Sequence, residues 1–170
     1  THFSLQRGYS KPEQLVAKCK EFGYKSCAIT DINTISGAVA FYKTCKKNNI
    51  KPIIGCTFEF ESHKPTTLLA KNKAGWFDLI DLVSKKNSYS DDVVYKLLKS
   101  HSENLICIDE LKQQPSYYAE TKDAELHRIL LCSGMKTTMA KSKERLKQDG
   151  FKKLKGFFDS DKYYMLSPNE

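Results

Sequence analysis

The chain has 170 residues, 40% of them apolar, which is enough for one domain with a buried core. No run of about 18 apolar residues occurs, and no basic stretch followed by an apolar one opens the chain, so neither a membrane span nor a secretion signal is expected. The formal net charge of +8 favours polyanionic partners, chiefly nucleic acid, as an electrostatic bias and not as a site; a lysine-rich surface that keeps the domain dissolved is the plain alternative.

Six cysteines (Cys19, Cys27, Cys45, Cys56, Cys107, Cys132) are scattered among apolar residues, and none forms a C-x-x-C pair. They read as free thiols of a cytoplasmic protein, with a disulfide or zinc role as the alternative. The first residue is Thr1 and not methionine, as in a trimmed chain.

Ser10-Lys11-Pro12-Glu13 has the pattern of a capping box, with Ser10 as N-cap and Glu13 three residues on. Leu15, Val16, Cys19 and Phe22 follow at helical spacing, and Gly23 suits the stop. Residues 26–30 form a short apolar run ending in Thr30-Asp31, which predicts a buried strand. A helix is predicted over 35–48, with Ala38, Phe41, Tyr42 and Cys45 on one face. Ile53-Ile54 open the next strand, in which Cys56, Phe58 and Phe60 alternate with Thr57, Glu59 and Glu61. Strand, helix, strand predicts a βαβ unit and a sheet that begins parallel.

After a polar loop at 62–66, Thr67 to Ala70 reads as a strand. A helix over 75–87 carries Trp76, Phe77, Leu79, Ile80, Leu82 and Val83. A short helix over 91–99 has Asp91 and Asp92 in its first turn, where carboxylates suit the helix dipole. Leu105 to Ile108 reads as a strand, 122–133 as a helix bearing Leu126, Ile129, Leu130 and Leu131, and 138–149 as a more polar helix ended by Gly150. The tail from Gly156 is aromatic. No repeat or domain boundary is visible, so residues 1–170 read as one domain.

Several of these segments carry a resemblance. Gly8 to Glu13, Cys27 to Asp31, Gly37 to Tyr42 and Lys51 to Cys56 resemble the opening of the polymerase and histidinol phosphatase (PHP) domain at the N-terminus of bacterial-type DNA polymerase III α subunits. Leu68 to Asn72 with Gly75, Asn104 to Cys107, Asp123 to Cys132 and Phe158 to Pro168 resemble later segments of the same domain, in the same order. The resemblance implies an α/β fold of the distorted (β/α)7 barrel kind. About a dozen residues replace a long stretch of the family between the Leu105 strand and the Asp123 helix, so a reduced or incomplete barrel is expected. Missing barrel elements leave strand edges that something must cover.

The family holds up to three metal ions with histidines and carboxylates at strand ends, where bound metal activates water against a phosphoester. His2 matches the second histidine of the opening pair. The acidic ligand that follows falls at Arg7. The histidine after Thr30-Asp31 falls at Ile32, and the glutamate after Gly55-Cys56 falls at Thr57. A later histidine falls near Pro65, with His63 two residues away; a cysteine falls at about Leu111, and the final aspartate and histidine at about Pro115 and Tyr117. The resemblance thus implies a degenerate site at His2, Arg7, Asp31, Ile32, Thr57 and Tyr117, with no metal and no catalytic residue. Zinc or manganese on His2, His63 or Asp31 is the alternative. Asp31 otherwise reads as a cap for the following helix.

No G-x-S-x-G, Walker A, G-x-G-x-x-G or H-E-x-x-H pattern occurs. His63, His101 and His127 read as isolated surface or partly buried structural histidines. Asp91-Asp92 and Asp159/Asp161 read as capping and turn carboxylates. The most basic stretch, 136–155, offers Lys141, Arg145, Lys152, Lys153 and Lys155 beside Phe151, Phe157 and Phe158, a strip able to follow a nucleic-acid backbone. A solvated helix face is the plainer reading of the same residues.

The expected function is a catalytically silent domain of, or related to, a DNA polymerase III α-type replicase, with a structural or partner- or DNA-binding role in replication. Its partners would be the rest of a polymerase chain, replisome proteins, an exonuclease subunit or DNA, and nucleotidyltransfer would belong to sequence outside this chain. One alternative is a residual metal-dependent phosphoesterase or 3′–5′ exonuclease. Another is a free-standing phage or mobile-element protein that engages a host replisome.

Overall fold

Helix α1 (Pro12–Glu21) opens the regular structure of the computed structural model, which describes residues 1–100, 103–108, 115–147 and 161–168. Its N-cap is Lys11, one residue later than Ser10, because Gln14 turns its Oε1 back to accept the Lys11 N–H at 2.8 Å. Ser10 is buried, and its hydroxyl has no partner among the described residues. The helix ends where Gly23 takes φ of 73°. Tyr24 N–H then reaches the Cys19 carbonyl at 2.9 Å and Gly23 N–H that of Lys20 at 3.1 Å, a double closure that a side chain with a Cβ resists.

The βαβ unit forms as its periodicity requires. β1 (Ser26–Ile32) runs parallel to β2 (Lys51–Phe58), with α2 (Ala38–Lys47) as the crossover. β3 (Thr66–Ala70) returns antiparallel to β2, and β4 (Leu105–Ile108) lies antiparallel to β3. Among the described residues these strands form one sheet in chain order. α3 (Lys73–Lys86) and α4 (Asp91–Ser100) connect β3 to β4. A 3-10 turn at Thr121–Asp123 leads into α5 (Ala124–Gly134), and α6 (Met139–Lys147) follows. The architecture is mixed α/β. Residues 148–150, with the expected stop at Gly150, lie outside the described residues.

Strand periodicity sends one set of side chains to the helices and the other to the far face. The helix face carries two cores. Val16, Cys19, Cys27, Ile29, Phe41, Cys45 and Ile50 join α1 and α2 to β1. Cys56, Phe58, Leu68, Leu79, Leu82, Val94, Leu98 and Leu105 join α3 and α4 to the later strands. Each fully buried Leu or Phe side chain contributes about 1.5–3 kcal/mol. Ile54 touches both cores and sits on the seam between them.

The apolar faces read from the sequence are too wide. Tyr42 is 47% exposed, and Phe77, Ile80, Leu126 and Ile129 are exposed as well, because periodicity marks a stripe but not how far the neighbouring layer reaches over it. On α5 the buried set is Ala124, His127, Leu131 and Cys132. All six thiols are free; Cys107 lies exposed on the edge strand β4, and the other five are buried.

Candidate functional site

The strand ends of β1 and β2 form the centre of the site. Ile32 pairs in register with Thr57, so both side chains point to the face away from the helices. Asp31 points the other way and is 2% exposed. It does not cap α2, whose N-cap is Gly37 without a side-chain bond. The carboxylate instead receives three donors from residues 1–4. Ser4 Oγ donates to its Oδ1 at 2.7 Å, Thr1 Oγ1 lies 2.8 and 3.0 Å from its two oxygens, and the Thr1 nitrogen donates as well. Ser4 Oγ also accepts the Ile32 N–H at 2.9 Å, which ties the N-terminal turn to the strand end. Gly37 closes this pocket: a Cβ there would stand 2.9 Å from Asp31 Oδ2 and 2.7 Å from the Phe3 ring.

Arg7 and Ile32 line one cavity beside Phe3, Ser4 and Asn33. Arg7 pairs with Glu59 at 3.5 Å, both half-exposed, so the pair itself adds little stability. Tyr117 reaches the same place from the segment before α5. Its hydroxyl is pushed above the usual phenol range, by burial first and then by the Glu59 carboxylate, with Arg7 opposing. Its ring stacks on His127 at 5.6 Å. His127 is 1% exposed and donates Nε2–H to the Arg7 carbonyl at 2.7 Å, so it is a deeply buried tie and not a surface histidine. Burial lowers its pKa below the usual imidazole value. Thr57 Oγ1 lies 3.2 Å from the Thr30 carbonyl and 2.9 Å from Thr67 Oγ1.

The remaining candidates lie elsewhere. His2 is exposed with its ring against Phe3. His63 lies 2.6 Å from Asp92 through Nε2 and stacks flat on Tyr95 at 4.1 Å. Asp91 accepts the Glu61 N–H at 3.0 Å and Lys86 Nζ at 2.5 Å, and the Lys86 bond holds its carboxyl below the usual range. Asp161 pairs with Arg128. Pro115 lies before the Tyr117 segment, while His101, Leu111 and Asp159 lie outside the described residues. Among the described residues no three His, Cys, Asp or Glu side chains are grouped to hold a metal ion.

Lys141 and Lys143 are exposed on α6, which Ser142 anchors to Cys132 of α5 at 3.4 Å. Arg145 falls within α6; Lys152, Lys153 and Lys155 lie outside the described residues. No helix among the described residues is long and apolar enough to cross a membrane.

Ser4, Glu59 and His127 were not legible as site residues. Ser4 and Glu59 carry no spacing signal, and the His127 contact spans 120 positions in sequence. The alternation of Glu59 with Phe58 and Phe60 was the only available hint that its side chain leaves the core.

A parallel β1–α–β2 opening continued by two antiparallel strands defines a mixed α/β domain. The PHP domain family matches over residues 1–165, and the chain belongs to that family. The DNA polymerase III subunit alpha of Aquifex aeolicus is 35% identical over 152 residues, which cover 74% of this chain and 13% of that protein. That of Bacillus subtilis is 36% identical over 121 residues, 63% of this chain and 11% of the relative. That of Buchnera aphidicola is 42% identical over 89 residues, 49% of this chain and 8% of the relative. The chain thus spans roughly a tenth of the length of these relatives. A solved Bifidobacterium adolescentis structure, described as a candidate metal-dependent phosphoesterase, covers 95% of this chain and 55% of its own with a TM-score of 0.38 and 16% identity.

Proposed function

We propose that this chain is a PHP domain in which packing has replaced metal chemistry, and that it serves a DNA polymerase III α-type replicase as a structural or recruiting module. The observation that carries this reading is the saturation of Asp31. The carboxylate retained at the strand end spends its oxygens on Thr1 and Ser4. The other positions that correspond to the family's ligands offer a cation at Arg7, an aliphatic side chain at Ile32, a hydroxyl at Thr57 and a phenol at Tyr117. Divalent metal needs several anionic or imidazole donors converging on one point, and this donor set does not fit the family's cluster.

The barrel is reduced in this reading, because only a dozen residues connect the β4 strand to the α5 region. The partners are the remainder of a polymerase chain, replisome proteins or DNA, with the basic strip of Lys141, Arg145, Lys152, Lys153 and Lys155 tracking phosphates.

The test pairs metal analysis, after growth with added zinc and manganese, with exonuclease turnover on a labelled primer. Neither stoichiometric metal nor cleavage is expected. Bound metal together with cleavage abolished by His2→Ala would place a working phosphoesterase at the N-terminus and end this reading.

A further inference from the structure

The seam between the two cores is open to solvent. Helices α2 and α3 both pack on the sheet, but a groove of about 630 Å³ remains between them. Its floor is Pro52 and Ile54 of β2 and Ala70 of β3, and its walls are Val39 and Tyr42 of α2 and Trp76 of α3. Pro52 and Ile54 alternate with Ile53, so the groove lies on the opposite face of the sheet from Ile32 and Thr57.

The rim has one sign of charge. Lys43, Lys71 and Lys73 line the groove, and no Asp or Glu among the described residues does. Val39 is 56% exposed and Tyr42 47%, so apolar surface stands uncovered beside these cations. Apolar floor, aromatic wall and basic rim are complementary to a short acidic peptide with one or two large apolar anchors. A nucleic-acid strand fits less well. The floor is aliphatic, and Lys46 already stands over the Tyr42 ring at 5.6 Å, which occupies a face that a base would stack on.

We infer that the groove between α2 and α3 docks an acidic, apolar-anchored peptide segment of a partner protein. The anchor fills the space over Ile54 and beside Trp76, and the flanking carboxylates meet Lys43 and Lys73. Such rim charges act mainly on the rate of encounter and on salt dependence, while the anchor sets the lifetime of the complex.

The chain contains a single tryptophan, Trp76, and it lines the groove, so its emission reports occupancy directly. The experiment titrates the 170-residue chain with a synthetic ten-residue peptide of Asp and Glu bearing Leu and Phe anchors. A peptide with Ser in place of the anchors, a Lys-for-acid version and an oligothymidylate serve as comparisons. The acidic anchored peptide should shift Trp76 emission saturably, and the others should not. Lys43→Glu with Lys73→Glu should weaken it at least about tenfold, corresponding to roughly 1.4 kcal/mol. Lys141→Glu, on α6, should leave it unchanged, and circular dichroism should show all variants folded. Saturable binding of oligothymidylate that the same double reversal abolishes would make the groove a nucleic-acid site and overturn the inference. So would the absence of any emission shift, or equal binding of the anchor-free peptide.

Discussion

His127 on α5 donates its Nε2–H to the carbonyl of Arg7 at 2.7 Å, joining the late helix to the N-terminal turn that also supplies the Asp31 donors. The ring is enclosed by Tyr117 and Tyr118, with centroids at 5.6 and 5.2 Å. A protonated ring there would be a poorly solvated charge beside the Arg128 guanidinium, and burial accordingly lowers its pKa from the ordinary 6.5. The unfolded chain therefore binds the proton more readily than the folded one. The stabilising contribution is complete above about pH 6.5 and is lost as the pH falls through the folded value. The urea midpoint of the parent should drop between pH 7 and pH 5.5, and His127→Gln should flatten that part of the profile. His127→Ala should cost about 2–3 kcal/mol through a cavity and an unpaired carbonyl. An unchanged profile for His127→Gln would remove His127 as the titrating tie.

Asp31 leads to a second expectation. Replacing it with alanine strands the Thr1 and Ser4 hydroxyls, and Ser4→Ala breaks both the carboxylate bond and the acceptor for Ile32 N–H. Asp31→Ala should cost about 2–4 kcal/mol and Ser4→Ala about 1–3 kcal/mol in urea unfolding. Gly37→Ala should cost about 1–3 kcal/mol, because its Cβ meets the Phe3 ring and Asp31 Oδ2 below 3.0 Å. The two polar losses should be strongly non-additive, since they share one bond. Asp31→Ala within about 0.5 kcal/mol of the parent would mean that the carboxylate is not a structural hub.

The particular residues involved explain what the sequence made legible. The parallel pairing of β1 and β2 follows from the crossover helix between them, and that pairing places Ile32 opposite Thr57. The antiparallel return of β3 was not legible, because the polar loop at 62–66 carries no signal that fixes a direction. Ser10 has the chemistry of an N-cap, yet Gln14 at 2.8 Å from the Lys11 nitrogen shifts the cap by one residue. Asp31 has the chemistry of a cap as well, and the folded N-terminal turn takes its oxygens first. In both cases local pattern named a capable residue and competition from a neighbour decided its partner. His127 shows the other limit, since a helical histidine with no nearby partner in sequence finds one 120 positions away.

The thiols should separate sharply by reactivity. Cys107 is exposed on β4, whereas the other five cysteines are buried. Burial raises Cys45 to about 11 and Cys56 to about 12, so little thiolate is present at either position near pH 8. Cys27 is raised further, first by its hydrogen bond to Cys19 and then by burial. With a thiol-reactive chromophore at pH 8, one cysteine per chain should react fast in the native protein, and all six only after unfolding in denaturant. Cys107→Ser should abolish the fast phase. A fast phase that survives this substitution would show that one of the buried thiols opens to solvent on the time of the assay.

Restoring the donors tests whether Arg7, Ile32 and Thr57 converge on one point at the strand ends. Ile32 and Thr57 are register partners, and Arg7 shares a cavity with Ile32, so three substitutions can place new ligands within one region. Arg7→Asp removes the cation that opposes a metal, Ile32→His supplies an imidazole on the face away from the helices, and Thr57→Glu supplies a carboxylate beside it. The triple variant should bind zinc or manganese with a stoichiometry of about one, read by calorimetry and by metal analysis after desalting. The parent should bind neither above background. Each single variant should bind far more weakly than the triple, because one or two donors do not hold a divalent ion against water. Far-ultraviolet circular dichroism separates a folded non-binder from an unfolded one. A folded triple variant that takes up no metal would mean that these positions do not converge, and the correspondence of Arg7, Ile32 and Thr57 with the family's ligands would be wrong.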